Sequence, residues 1–143
     1  MTPSICLSTR LRRAARQTSR AYDHALAPLD LSVAQYALLR AIVRLEKPTL
    51  TQLSEETDLD PSTLGRNVRV LTQKQLLGFT AGHTDKRTRI LSLTPQGTAV
   101  LQDATALWAE VQRRFEAQLG DGGRDALFTL LQTFEPQTHE PTQ

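Results

Sequence analysis

Asp60 and Pro61 together form a helix start signal of high specificity. An aspartate side chain accepts hydrogen bonds from the free backbone N–H groups of a first helical turn. Proline at the next position removes only a donor that the helix would leave unpaired. A short helix over residues 52–57, for which Thr51 is the predicted cap, ends shortly before this signal. Two helices with so short a connection are typical of a helix-turn-helix.

The segment after this signal changes from helical to strand-like patterning. The helix that begins at Pro61 is predicted to run to about Lys74. Strand-like runs follow at residues 77–81 and 88–93, and the residues between them form a polar turn that contains glycine. The order of helix, helix and hairpin predicts a winged helix-turn-helix, in which the hairpin is the wing.

Helical patterning also dominates both sides of this segment. A first helix is predicted over residues 7–27, and Ser32 with Gln35 forms a capping box that begins a second. Thr94 and Pro95 open an apolar stripe of about 25 residues, and a last helix covers residues 124–134. The predicted fold class is therefore mainly α with a small β-hairpin wing.

Charge is distributed unevenly along the chain. Residues 60–90 contain six basic and two acidic side chains, whereas residues 94–143 contain three basic and seven acidic ones. Clustered cations are what a surface that faces phosphates requires. Two interpretations stay open on charge alone, a phosphate-facing module and ordinary solvated faces.

The helix that begins at Pro61 has two chemically different sides. Leu64, Val68 and Leu71 fall on one side at helical spacing and are predicted to be buried. The opposite side carries hydrogen-bond donors that can meet phosphates or base edges, and Arg66 has the fork geometry that suits guanine. The candidate DNA-binding residues here are Ser62, Thr63, Arg66, Arg69 and Gln73.

The hairpin tip offers a second candidate contact, formed by Asp85, Lys86 and Arg87. An arginine on a thin loop can reach into a narrow minor groove, where the potential is most negative. We assign this role to Arg87, with Asp85 holding its guanidinium in place. The alternative is a surface turn with a weak ion pair.

Length and composition exclude several classes of protein. A chain of 143 residues fits one domain or one subunit of an oligomer, and it shows neither a secretory signal nor a transmembrane pattern. A cytoplasmic protein without membrane association, cofactor or structural metal is therefore expected. His24, His83 and His139 have no spacing to a nucleophile or carboxylate that would suggest an enzyme.

Three segments resemble the MarR family of bacterial transcriptional regulators: LSVAQYALLRAI, LTQLSEETDLDPSTLGRNVRVL and DKRTRILSLTPQG. The resemblance covers residues 31–97. It implies a homodimer of winged-helix subunits that binds a pseudo-palindromic operator on double-stranded DNA. It also implies repression that a small ligand or cysteine oxidation relieves. Pro61, Ser62, Thr63 and Arg66 match the start of the family's recognition helix, and Asp85 and Arg87 match its wing pair.

Two positions depart from the family pattern. Gly65 lies within the recognition helix, where glycine costs about 1 kcal/mol relative to alanine unless a close backbone approach requires it. Gln75 stands where the family usually has a glycine that closes this helix in a left-handed turn. We expect a strained or differently shaped helix end at Gln75.

The expected domains are a winged helix-turn-helix DNA-binding domain at residues 31–93, a helical dimerisation region at residues 1–30 and 94–135, and a flexible tail at residues 136–143. The long apolar stripe of the later helices exceeds what a winged domain of about 60 residues can cover. We therefore expect a homodimer. A bundle within one chain is the alternative.

An effector pocket is expected between the first, second and fifth helices, near Tyr22, Leu26, Tyr36 and Trp108. Each of these residues has an alternative interpretation as part of the core. A small aromatic or anionic effector is the candidate ligand. A cluster of arginines on the first helix can attract an anion or flank DNA, or it is a solvated helix face: Arg10, Arg12, Arg13, Arg16 and Arg20.

Cys6 is a candidate redox sensor, because Arg10 lies one helical turn further on and a nearby cation favours the thiolate. The alternative is a small apolar residue packed at a helix start. At the level of function, the alternative to a DNA-binding repressor is a winged-helix module that binds another protein without sequence-specific DNA binding.

Overall fold

A computed structural model describes residues 5–57, 59–82 and 84–136. The described residues cluster into two compact units, one that ends at Trp108 and one that begins at Ala109. The division falls within the longest helix. The expected flexible tail lies outside the described residues except for Pro136, and so does His83 in the wing turn.

The elements follow the predicted order. Helices α1 to α4 are Leu7–Leu26, Val33–Arg44, Leu50–Thr57 and Pro61–Gln73, strands β1 and β2 are Leu77–Ala81 and Arg89–Leu93, and helices α5 and α6 are Pro95–Leu119 and Gly123–Leu131. Short 3-10 turns follow α1 and α6, at Ala27–Leu29 and Gln132–Phe134. This architecture confirms the mainly α fold with a two-stranded wing.

Two of the predicted helix starts are confirmed by their caps. The Thr63 N–H donates to Asp60 Oδ1 at 2.9 Å, with Pro61 at the first helical position. The Gln35 N–H donates to Ser32 Oγ at 3.1 Å, and the Ser32 N–H donates to Gln35 Oε1 at 3.2 Å. Both starts depend on neighbouring residues only, which is why the sequence reveals them.

The predicted cap of α3 is wrong. Thr49, not Thr51, accepts the hydrogen bond from the Gln52 N–H, at 3.2 Å. The Thr49 N–H donates back to Gln52 Oε1 at 2.9 Å, so the pair completes a reciprocal capping box. Thr51 has no glutamine or glutamate three residues later, and it lies inside the first turn of α3.

The wing is an antiparallel hairpin in which Leu77 lies opposite Leu93 and Phe79 opposite Leu91. Strand β2 begins one residue later than predicted. Thr88 belongs to the turn, because its N–H donates to the Asp85 carbonyl at 3.1 Å and its carbonyl accepts from the Gly82 N–H at 2.8 Å.

The core of the first unit joins α1 to the helix-turn-helix and the wing. Its most buried side chains come from five helices and both strands, so α3 and α4 are held against the rest of the unit by apolar packing. They include Leu26, Tyr36, Leu39, Leu53, Leu71, Leu77, Leu91 and Ala104.

The second unit contains the end of α5 and all of α6. None of the residues of α6 is buried. Helix α6 begins at Gly123 and ends at Leu131, and the rest of the predicted helix over residues 124–134 is a 3-10 turn. Within the described ranges no single helix has the length and apolar character needed to cross a membrane; α1 and α2 meet that test only as a pair bent by 76°.

Candidate nucleic-acid interface

Helix α4 separates its residues as predicted. Leu64, Val68 and Leu71 are buried, and they fix the helix on the core. The opposite side faces solvent, with Thr63 half-buried at its border. The exposed predicted residues are Ser62, Arg66, Arg69 and Gln73. The structure therefore brings all five candidate residues of this helix to one accessible surface.

The start of α4 is more tightly organised than the sequence suggested. Ser62 Oγ donates to Asp60 Oδ1 at 2.6 Å, and Thr63 Oγ1 donates to Asp60 Oδ2 at 2.7 Å. The cap engages both hydroxyl protons and leaves the hydroxyl oxygens as acceptors. The DNA contacts of Ser62 and Thr63 stay a prediction.

These contacts change the acidity of the cap. The pKa of Asp60 lies well below its usual range, chiefly because the Ser62 hydroxyl donates to the carboxylate, followed by the Thr63 N–H and hydroxyl. Hydrogen bonds of this kind stabilise the charged form of the carboxylate. Asp60 is therefore an anion at physiological pH, which suits the positive end of a helix.

The wing tip differs from the prediction in one contact. Asp85 was expected to hold the guanidinium of Arg87, but Asp85 Oδ1 accepts instead from the Arg87 backbone N–H, at 2.9 Å. The carboxylate thereby shapes the turn and leaves the arginine side chain outside it. Asp85, Lys86 and Arg87 are all exposed.

The arginines of this surface have no acidic partner among the residues that the structure describes. The ion pairs among the described residues involve Arg44, Lys74 and Arg124, and none involves Arg66 or Arg87. A guanidinium without a carboxylate partner can meet a phosphate or a base without first breaking an ion pair. The surface thus offers cations in the form that nucleic acid requires.

Arg89 is a member of this surface that the sequence analysis missed. Its guanidinium lies 5.4 Å from the centre of the Phe79 ring, across the hairpin. It lines a groove with Arg69 and Gln73 of α4. The signal was available, since Arg89 follows Arg87 at strand spacing, but only the hairpin register places it beside α4.

Gly65 borders the same groove and is exposed. A Cβ atom built at this position would have no atom of the protein within 4 Å. Close packing within the described chain therefore does not require this glycine.

The residues predicted to form an effector pocket come together as an aromatic cluster. The Trp108 ring lies 6.5 Å from that of Tyr22 and 6.0 Å from that of Tyr36. Leu26 and Tyr36 are fully buried, as the core alternative requires. Arg40, which the sequence analysis did not single out, covers the cluster with its guanidinium 5.0 Å from the Trp108 ring. The cluster thus combines aromatic surface with one accessible cation.

Cys6 lies immediately before α1 and is exposed. Its pKa is lowered, chiefly because the Thr9 backbone N–H donates to the sulfur, followed by the Thr9 hydroxyl and the Ser8 N–H. The predicted cause, a cation at Arg10, is therefore corrected to the free donors of the helix start. In this unit the thiol is not packed as the alternative proposed. The five arginines of α1 are all exposed: Arg10, Arg12, Arg13, Arg16 and Arg20.

The sequence model of the MarR family matches residues 29–88. The HTH-type transcriptional regulator YhbI from Bacillus subtilis is 28% identical over 86 residues, which are 60% of this chain and 56% of that protein. The matched part therefore spans little more than half the length of that relative.

Solved structures cover more of the chain. The transcriptional regulator MosR from M. tuberculosis, in complex with DNA, is 34% identical with a TM-score of 0.77, over 90% of this chain and 96% of that one. A mutant of MarR from E. coli in complex with operator DNA has a TM-score of 0.84 over 91% of this chain and 94% of that one. At 23% identity, the second likeness shows the fold alone.

Proposed function

Because the chain belongs to the MarR family of transcriptional regulators, we propose that it binds a pseudo-palindromic operator as a homodimer and represses the genes beside that operator. Like the other members of this family, the protein is a DNA-binding transcriptional regulator and not an enzyme.

One observation carries the proposal: the exposed side of α4 and the wing tip present arginines that have no acidic partner among the described residues. Recognition helices of this class enter the major groove, and wings reach the adjoining minor groove. We assign the base contacts to Arg66, with Arg69 and Gln73 beside it. We assign the contacts with the minor groove and its phosphates to Arg87 and Lys86. Residues 31–93 form the proposed DNA-binding domain.

Uncovered apolar side chains support the homodimer. Apart from Val43 and Leu50, which belong to the proposed DNA-binding domain, those of the first unit lie around the start of α1. Those of the second unit lie at the end of α5, along α6 and in the turn after it. They are Ile5, Leu7 and Leu11 in the first unit, and Leu119, Leu127, Phe128, Leu130 and Phe134 in the second. A monomer in water rarely exposes this much apolar surface, whereas a second copy of the chain can cover it. We assign dimerisation to residues 1–30 and 94–135.

Release from DNA is proposed through one of two routes. The half-buried rings of Tyr22 and Trp108 offer stacking surface to a small aromatic effector, and Arg40 offers a cation to an anionic one. Tyr36 and Leu26 support this surface from the buried core. Oxidation of Cys6 is the second route, since an exposed thiol with a lowered pKa reacts more readily.

Binding to DNA tests the proposal directly. Fluorescence anisotropy measures the affinity of the protein for the intergenic duplex upstream of its own gene and for a scrambled duplex of the same composition. Sedimentation gives the number of protein chains bound to each duplex. We expect one dimer on the native duplex and affinity at least about 1,000-fold above the scrambled control. Equal affinity for both duplexes would favour the protein-interaction module instead.

Effectors are tested by titrating a panel of aromatic acids and oxidants into the preformed complex. Release by an aromatic acid that is weakened in an Arg40→Ala variant supports the first route. Release by peroxide in the parent but not in Cys6→Ser supports the second. Oxidised parent protein that keeps full operator affinity would dispose of the redox route.

A further inference from the structure

The end of α4 is tied to the junction between α1 and α2. Lys74 directly follows α4, and its ammonium donates to the backbone carbonyl of Asp30 and lies 3.2 Å from Asp30 Oδ2. Asp30 is 44 residues earlier in the chain, between the two helices. The Lys74 side chain is 27% exposed, so most of its length is covered by protein.

The Asp30 carbonyl is held in a defined position. Asp30 has a left-handed backbone with φ 54°, and its N–H donates to the Ala27 carbonyl at 2.9 Å. On the α2 side, the Val33 N–H donates to Asp23 Oδ1 of α1 at 2.7 Å. The acceptor of Lys74 thus belongs to a turn that hydrogen bonds fix on both sides.

The next residues tie the end of α4 to the start of α5. Gln75 has φ 63°, and its carbonyl accepts from Thr94 Oγ1 at 2.6 Å. The Leu76 carbonyl accepts from the Thr94 N–H at 3.0 Å. Thr94 Oγ1 also accepts from the Gly97 N–H at 2.9 Å, so the residue that caps α5 is bound to the end of α4.

Gly97 brings the two backbones together without a side chain between them. A Cβ atom at this position would lie 2.1 Å from the Leu76 carbonyl oxygen, far inside contact distance. The left-handed Gln75 and the buried Gly97 are two backbone requirements at one place. The helix end that the sequence predicted to be strained or differently shaped is therefore the point where the end of α4 contacts the turn between α1 and α2 and the start of α5.

We propose that Lys74, Gln75 and Leu76 form a joint, and that Lys74 is a positioning residue that sets the direction of the recognition helix relative to α1 and α5. The inference rests on the proposed function, because direction matters only when two recognition helices must match two half-sites about 34 Å apart. Lys74 acts through the carbonyl and the carboxylate of Asp30 and does not contact DNA.

A phosphate contact is the competing role for a lysine at this place. The two roles predict different dependence on half-site spacing. Loss of a phosphate contact weakens binding equally at all spacings and lowers the salt dependence by about 0.9 in log–log slope for each contact. A loosened joint weakens binding most at the native spacing and leaves the salt dependence unchanged.

The experiment uses a duplex that the parent protein selects from a randomised pool, together with versions one base pair longer and shorter between the half-sites. The variants are Lys74→Met, Lys74→Arg, Asp30→Asn and a matched charge control in the wing, Lys86→Met. We expect Lys74→Met to bind the duplex of native spacing about three- to tenfold more weakly than the parent, and to lose less affinity at the altered spacings. Lys74→Arg keeps the positive charge and should bind as the parent does. Lys86→Met should lose affinity evenly and lower the salt slope.

For Asp30→Asn, the two possible roles of Lys74 predict changes in operator affinity of opposite direction. It removes the carboxylate and keeps both the carbonyl and a residue type that tolerates the left-handed backbone. A joint predicts weaker operator binding, because one of the two partners of Lys74 is lost. If Lys74 were a DNA-contacting cation, removal of the neighbouring negative charge would strengthen binding.

Three results would overturn the joint: Lys74→Met equal to the parent at every spacing, an even loss with a lower salt slope, or tighter binding by Asp30→Asn. Circular dichroism and sedimentation show whether each variant is folded and dimeric. If Lys74→Met does not fold, Asp30→Asn on the same duplexes decides. A parent protein that selects no duplex would instead refute the proposed function, and the joint with it.

Discussion

Helices α4 and α6 are both short and amphipathic, but they differ in how their apolar residues are covered. Helix α4 buries Leu64, Val68 and Leu71 and exposes its polar side. Helix α6 buries none of its residues and leaves Phe128 48% and Leu130 66% exposed. The apolar side of α4 is covered by the protein's own core, and its polar side is the surface that we propose binds DNA. The apolar residues of α6 are left uncovered, and we propose that a second copy of the chain covers them.

The largest effect on the α4 side of this comparison is expected for Leu71→Ala. Leu71 is fully buried, so the truncation removes apolar contacts and leaves a cavity. We expect the free energy of unfolding to fall by about 2 to 5 kcal/mol, measured by urea denaturation. Gln73→Ala on the exposed side of the same helix is the control and should change it by less than about 0.5 kcal/mol. Equal effects would mean that α4 is not fixed by this packing.

On the α6 side, we expect Leu130→Glu to dissociate the proposed homodimer, because it places a charge in the exposed apolar surface that we assign to the interface. Loss of the second half-site contact should lower operator affinity by at least about 100-fold. Thr129→Glu adds the same charge on the other side of α6 and should leave the dimer intact. Sedimentation measures both. A Leu130→Glu protein that remains dimeric would remove α6 from the interface.

Arg66→Ala tests whether the exposed side of α4 reads bases. We expect a loss of about 1 to 3 kcal/mol on the parent operator and relaxed preference at one base position. Competition with duplexes that carry each base at that position measures the change. An unaltered preference at every position would show that Arg66 does not contact a base.

Arg87→Ala should weaken binding to all duplexes by a similar factor, because a wing arginine contacts phosphates or the minor groove more than base edges. Its log–log salt slope should fall by roughly one for each wing. Affinity measured at several salt concentrations gives the slope. An unchanged salt slope together with an altered base preference would show that Arg87, and not Arg66, has the role of the base-reading residue.

The features that the sequence predicted are those that depend on neighbouring residues. The caps at Asp60 and Ser32, the buried side of α4 and the pairing of the two strands all follow from spacing within a few residues. The cap of α3 was missed because Thr49 and Thr51 are both plausible by residue type. Only the reciprocal bond to Gln52 distinguishes them.

The features that the sequence did not reveal depend on distant contacts. The bond from Lys74 to Asp30 joins positions 44 residues apart. Arg40 reaches the ring of Trp108 from another helix. The strained end at Gln75 was expected from its residue type, but its binding to Thr94 was not. The hydrogen bonds from Ser62 and Thr63 to Asp60 were also not foreseen, since a motif does not show which partner a hydroxyl takes.

The smallest expected effect concerns how α4 begins. Asp60 caps it, whereas α6 follows Gly122, a left-handed residue without a side-chain cap. Because the pKa of Asp60 is lowered in the folded protein, its carboxylate contributes stability above the unfolded pKa of about 3.9, and this contribution is lost as the pH falls below that value. Asparagine is an equally common cap but lacks the charge.

Asp60→Asn should therefore lower Tm slightly at pH 7, and the difference from the parent should shrink as the pH falls from about 5 toward 2. Asp103→Asn, on the exposed side of α5, is the control for the change in net charge alone. Thermal unfolding followed by circular dichroism at a series of pH values measures both. A difference that is constant with pH would mean that the charge of Asp60 does not stabilise α4, and that the start of this helix is determined by Pro61 and backbone geometry alone.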